Sequence, residues 1–210
     1  MVIYDTPTAL GEVGTGSVSD GTSQKMRLGK NNELILGYAH GRYAEASMSG
    51  RLFMAQAIVT TPLLWSTEIG TGGPLLWNGS STVKAVLLAV GFGETTPIDV
   101  VGVALGITGG NGQAAAPTTA TAIDSTTNLL IGGAPSACTA YRIGTTVNNR
   151  FFYPFANLHP GILAADTANM QWVDLGGIVV PQWCYASVAA SADATSWVGN
   201  ICLIWEEIPA

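Results

Sequence analysis

Charge is what this sequence has least of. Lysine, arginine, aspartate and glutamate make up 10% of its 210 residues, against roughly 25% in an average soluble domain. A freely diffusing enzyme ordinarily carries more charge on its surface, so the scarcity predicts that much of the surface is covered by other subunits. Eight residues are basic and fourteen acidic, a net charge of −6, which excludes the basic stripe that nucleic-acid binding requires. No apolar run reaches the about 20 residues of a membrane-spanning helix. "VKAVLLAVGFG" (83–93) and "ICLIW" (201–205) are interrupted or bounded by Gly, Lys or Glu. The opening "MVIYDTPTALGEVGTG" has neither the basic nor the apolar region of a secretory signal, so a soluble protein made in a cytoplasm is expected.

Histidine and cysteine are as sparse. His40 in "GYAHGRY" and His159 in "NLHPG" both sit in turn-like contexts without a carboxylate cluster, so no metal site is expected. Cys138, Cys184 and Cys202 are far apart and form no C-x-x-C pair; they read as small buried hydrophobes with free thiols. There is no G-x-S-x-G elbow to anchor a catalytic serine. "GVALGITGGNGQ" (102–113) lacks both the P-loop ending and the G-x-G-x-x-G spacing, so it reads as strand leading into a long hairpin loop. "NGS" (78–80) matches the glycosylation sequon but reads as a turn. No cofactor is expected.

What is present is glycine, 26 residues of it, among short β-branched apolar runs. Strands are predicted near 56–65, 82–92, 98–108, 139–143, 151–155, 177–181, 183–190 and 197–206. They are separated by turn chemistry such as "GETTP", "GGNGQAAAPTT", "GGAPS" and "SADATS". No sustained helical period appears. The pattern predicts an all-β, antiparallel β-sandwich of jelly-roll type over residues 56–210, with an extended N-terminal arm over 1–55. Within that arm "LGKNNELIL" (28–36) reads as a hairpin, while "GRYAEASMSGRLF" (41–53) is ambiguous between helix and strand. Strands such as "ICLIW" are apolar on both faces, so both faces should be covered, one by the core and the other by loops or a neighbouring subunit.

Charge divides along the same line. Residues 1–55 carry Lys25, Arg27, Lys30, Arg42 and Arg51 balanced by five acids, whereas 56–210 carry the whole net negative charge. The arm is expected to lie across a neighbouring subunit or an underlying shell, with Lys25, Arg27, Leu28, Tyr38, Arg42, Tyr43, Arg51 and Phe53 as the inter-subunit docking residues. Adjacent carboxylates at Glu206 and Glu207 raise the question of a hydrolase. Successive strand side chains diverge, whereas glycosidase carboxyls must converge across roughly 5–10 Å. The pair is therefore expected to end a strand and guard its exposed edge. The six tryptophans, mostly inside apolar runs, read as core or interface packing more than as sugar-stacking platforms.

Several stretches taken together resemble a known group. "QKMRLGKNNELILGYAHGRYAEASMSGRLFMAQ" (24–56), "LLWNGSSTVKAVLLAVGFG" (75–93), "TNLLIGG" (127–133) and "IWEEIP" (204–209) are similar, in this order, to landmarks of tailed-bacteriophage virion proteins. The resemblance implies a non-enzymatic structural component of the particle: a capsid decoration or cement protein, or a head–tail associated one. Its partners would be other copies of itself and virion proteins such as the major capsid protein, without nucleic acid or membrane. It brings no active-site residue with it. The rival readings are a host-recognition adhesin that binds glycans through exposed tryptophans and loops such as 109–120, and a β-sandwich glycan hydrolase.

Overall fold

A computed structural model of the protein describes residues 43–60, 62–66, 69–96, 103–112, 114–117, 121–122, 126–147, 149–158, 171–192 and 197–210. The hairpin expected over 28–36 and the extended segment 1–24 lie outside these residues. The ambiguous stretch resolves into both alternatives in succession, a one-turn helix α1 (Ala44–Met48) and a strand β1 (Leu52–Val59). Gly50 separates them. Its φ of 68° lets its N–H reach the Ser47 carbonyl at 2.9 Å and the Arg51 N–H reach Ala46 at 3.0 Å. Those two bonds close a helix C-terminus in a conformation that favours glycine.

The remaining elements are strands: β2 (Leu63–Leu64), β3 (Ile69–Gly72), β4 (Leu75–Asn78), β5 (Val83–Thr96), β6 (Ala104–Asn111), β7 (Thr121–Ala122), β8 (Thr127–Asn128), β9 (Thr139–Val147), β10 (Asn149–Asn157), β11 (Gln171–Val180), β12 (Cys184–Ala190) and β13 (Val198–Pro209). The described residues are thus nearly all-β, as the pattern of short apolar runs predicts. One five-stranded sheet runs β11-β5-β13-β1-β8, and an eight-stranded sheet runs β10-β6-β12-β4-β9-β3 with β2 and β7 attached. The ladders are antiparallel apart from the short β2–β12 pairing. Side chains of both sheets meet in one apolar core. Phe53, Val90, Leu203 and Trp205 come from the first sheet, and Leu76, Leu105, Ile107 and Val188 from the second. Such burial stabilises by about 1.5–3 kcal/mol per large side chain.

Several boundaries move. "GETT" (93–96), read as loop, is the end of β5, because β13 is long enough to pair with it as far as Thr96. The strand expected at 98–108 is described from Ala104 and continues to Asn111. The strand expected at 56–65 is divided between β1 and β2, and the short β3, β4, β7 and β8 were not foreseen, since two to four residues carry no readable period. β4 and β5, joined by the turn at 79–82, belong to different sheets, so "WNGSST" is a crossing from one sheet to the other.

β13 explains the doubly apolar run. Ile201, Leu203 and Trp205 enter the shared core, while Cys202 is buried on the opposite face, where it pairs with Gln56 and Gly91. Trp172 folds over Gly91, where a Cβ would lie 3.0 Å from the indole. The expectation that Glu206 and Glu207 guard an exposed edge is overturned. β13 is the middle strand, paired with β1 on one side and β5 on the other, and a run apolar on both faces belongs in that position. Among the described residues the outer strands on one side are β10 and β11. Register shifts near Pro154 and between Asp174 and Ile178 interrupt them, which discourages further strand pairing.

Gly50→Ala tests the helix-to-strand junction. The nearest atom to an added Cβ is Leu130 Cδ2 at 3.4 Å, so the cost comes from the left-handed backbone alone, about 1 kcal/mol. Calorimetry is expected to show Tm lowered by about 2–4 °C for a chain of this size. An unchanged Tm would mean that the junction is not held in this conformation.

Candidate functional site

Glu206 and Glu207 diverge as alternation requires. Glu206 pairs with Arg51 at 3.3 Å on the outer face. Glu207 turns inward and is only 8% exposed. A buried carboxylate is costly unless its lone pairs are filled, and here they are. Ser136 Oγ donates to Oε1 at 2.5 Å, the Ala137 N–H to Oε2 at 3.1 Å and the Cys138 N–H to Oε1 at 3.1 Å. Trp205 Nε1 donates from 3.4 Å. Two consecutive backbone N–H groups and a hydroxyl form a small anion-binding concavity, and the occupant is the chain's own side chain. The Glu207 backbone N–H also bonds the Arg51 carbonyl at 2.8 Å. Glu207 therefore fastens the segment before β9 to the centre of the other sheet.

Two asparagines do related work. Asn78, fully buried, donates through Nδ2 to Val83 O and Val180 O, both at 2.9 Å, and accepts the Ser80 N–H at 2.9 Å. Its carbonyl receives the Trp183 N–H at 2.8 Å. The sequon is thus a turn whose asparagine sits inside the protein. Asn128 donates to Gly50 O at 2.9 Å and Ala134 O at 2.8 Å, and accepts the Leu130 N–H at 2.9 Å. Between Asn128 and the Glu207 clamp the loop 129–138 is pinned at both ends, and its tip raises Ile131 to 99% exposure. "WNGSS", "TNLLIGG" and "IWEEIP" thus each contain one polar anchor. The turn at Asn78 was readable from the sequence, but which distant backbone groups the three anchors reach was not.

The three cysteines are free thiols. Burial pushes the Cys202 thiol up to about 11. Cys138 is raised further by burial, then by the neighbouring Glu207 charge and their hydrogen bond. Cys184 is also raised by burial. None is poised as a thiolate nucleophile at neutral pH. Among the described residues no group of three or more His, Cys, Asp and Glu side chains could hold a metal.

Of the expected docking residues, Lys25, Arg27, Leu28, Tyr38 and Arg42 lie outside the described residues. Tyr43 lines a shallow groove with Ala89, Trp172, Asp174 and Ile204. Arg51 is the partner of Glu206. Phe53 packs inside the chain, stacked on Trp205 with ring centroids 5.9 Å apart, because β1 already begins at Leu52 and alternation turns its ring into the core. The tryptophans divide. Trp197 and Trp205 are core, whereas Trp65, Trp172 and Trp183 are exposed, a division that apolar context alone did not reveal.

Glu207→Ala would take the acceptor from the Ala137 N–H and the Trp205 indole N–H, each worth about 1–3 kcal/mol unsatisfied, while the Ser136 hydroxyl keeps Cys138 O and the Cys138 N–H keeps Ser136 Oγ. A loss of about 3 kcal/mol is expected in urea unfolding. Glu206→Gln removes only a surface ion pair and is expected to cost no more than about 1 kcal/mol. Equal effects of the two changes would contradict the clamp. Compared with known proteins, the chain matches no family model, no curated relative and no solved structure.

Proposed function

We propose that the chain is a non-enzymatic structural component of a tailed-bacteriophage particle. It would be a jelly-roll-like β-sandwich with an N-terminal arm, working as an oligomer that decorates the capsid or sits at the head–tail junction. One observation carries the assembly part of this reading: large apolar side chains stand exposed on a body with very little charge. Trp172 and Val179 are each more than half exposed, and Ile58 and Tyr153 stand out similarly. Exposed apolar patches on a folded chain mark contact surfaces. The virion itself rests on the sequence resemblance. Asn78, Asn128 and Glu207 lie within its landmark stretches and tie loops to sheets. The carboxylate pair that a hydrolase reading would use is occupied by Arg51 and by the loop clamp.

Mass spectrometry of purified particles tests this reading directly. The chain is expected at many copies per particle in particles from a lysate that encodes it, and its depletion is expected to make them less resistant to heat. Recovery only in the soluble fraction of the lysate, with none in the particles, would remove the reading.

A glycan-binding adhesin remains the second reading because of Trp183. This residue has φ of 60° at the third position of a turn closed by the Cys184 N–H on Pro181 O at 3.1 Å, where glycine is favoured. A bulky residue there is strained, yet it holds an indole 38% exposed, 6.2 Å from the Trp77 ring. Trp183→Gly relieves the backbone. If the indole serves binding, the variant is expected to keep its Tm and to lose retention on a glycan array. A lower Tm with no array signal from the native chain would make the indole a packing piece.

A further inference from the structure

We infer that Asn111 is a site of spontaneous covalent modification, where the side-chain amide is lost to give aspartate and isoaspartate. The sequence contains two Asn-Gly pairs, Asn78–Gly79 and Asn111–Gly112. Asparagine is thermolabile. A following glycine makes it more so, because no side chain keeps the next peptide nitrogen away from the side-chain carbonyl carbon. In sequence the two pairs are equivalent. The structure separates them.

Asn78 is fully buried. Its Nδ2 donates to Val83 O and Val180 O, and its Oδ1 accepts the Ser80 N–H, so the amide is held at both ends. The Trp77 indole lies against Gly79, where it would collide with an added Cβ. Asn111 has none of this protection. It is the last residue of β6, it is exposed, and its amide makes no hydrogen bond among the described residues. The β10 ladder ends at Gly110, opposite Asn149, so Asn111 is paired with Cys184 on one side alone. Gly112 then leaves the strand with φ of 81°, a conformation that favours glycine.

The reaction needs only water. The Gly112 nitrogen, losing its proton to base, attacks Asn111 Cγ. That bond closes a five-membered imide as the side-chain nitrogen departs as ammonia. Water then opens the ring at either carbonyl, giving aspartate or a main chain that continues through the former side chain. One water is consumed and one ammonia released, with no change of oxidation state. Each event adds a negative charge to a net of −6. The new carboxylate joins Arg150 and Tyr185 among the groups lining the cleft between β10 and β11. The isoaspartate product also puts one more carbon into the main chain at the last rung of β6, so charge and strand end change together.

Ageing the full-length protein at mildly alkaline pH, folded and in urea, tests this by mass spectrometry after tryptic digestion. Cleavage at Arg51, Lys84 and Arg142 places Asn78 in peptide 52–84 and Asn111 in peptide 85–142. In urea both pairs are expected to react at similar rates. In the folded protein, fragmentation is expected to place the amide-to-acid mass gain at Asn111, with Asn78 at least about tenfold slower, since it must first leave three hydrogen bonds. The aged protein is expected to gain an acidic species that elutes with Asn111→Asp on ion exchange and is absent from Asn111→Gln. Reaction at both pairs in urea but at neither in the folded protein overturns the assignment of Asn111. Equal rates at Asn78 and Asn111 in the folded protein overturn the claim that the fold selects between them.

Discussion

The central strand of the five-stranded sheet is hydrogen-bonded along both of its edges, and the rest of the fold is arranged around that fact. Val198–Pro209 pairs with Leu52–Val59 on one side and with Val83–Thr96 on the other. A strand in that position has no solvent-facing edge, so its side chains must be acceptable to protein on both faces. Ile201, Leu203 and Trp205 satisfy the core side, and Cys202 lies opposite glycine on the other. The same confinement makes Glu207 informative. A charged group directed inward from the middle of a sheet survives only with a complete set of donors, and most of the donors come from the loop that leads into β9 of the other sheet.

That arrangement turns a potential defect into a fastening between the two sheets. Asn78 and Asn128 extend the principle. Each is an amide whose two N–H groups reach backbone carbonyls from two separate segments. Loops tied in this way are stiff, and stiff loops can present apolar side chains without losing order. Ile131 and Trp183 are therefore features of a scaffold with fixed surface relief. Such relief suits association with other folded surfaces, where shape complementarity and low ordering cost decide affinity more than area does.

The two parts of the carboxylate question were answered at different levels. That Glu206 and Glu207 diverge was legible from alternation alone, and the structure places them on opposite faces with different partners. That they mark a free edge was a plausible inference from a charged strand end, and it failed because strand order in a sheet is not a local property. The tryptophans teach the same lesson. Trp197 and Trp183 sit in comparably apolar surroundings in sequence, yet one is fully buried and the other occupies a strained turn at the surface.

By itself the sequence determined the β class, the scarcity of helix, the free and buried thiols and the absence of a readable catalytic motif. It also located the turn built on Asn78. These follow from composition, from period-two alternation and from side chains that bond their own neighbouring backbone, all interactions within a few residues. Only the tertiary structure decided that β4 and β5 belong to different sheets, that β13 lies in the middle, and that Glu207 is held by Ser136–Cys138. It also decided that the loop 129–138 is fastened at both ends. Each of those depends on pairings between segments tens of residues apart, whose register is chosen by the collective packing of both sheets, which no local pattern encodes.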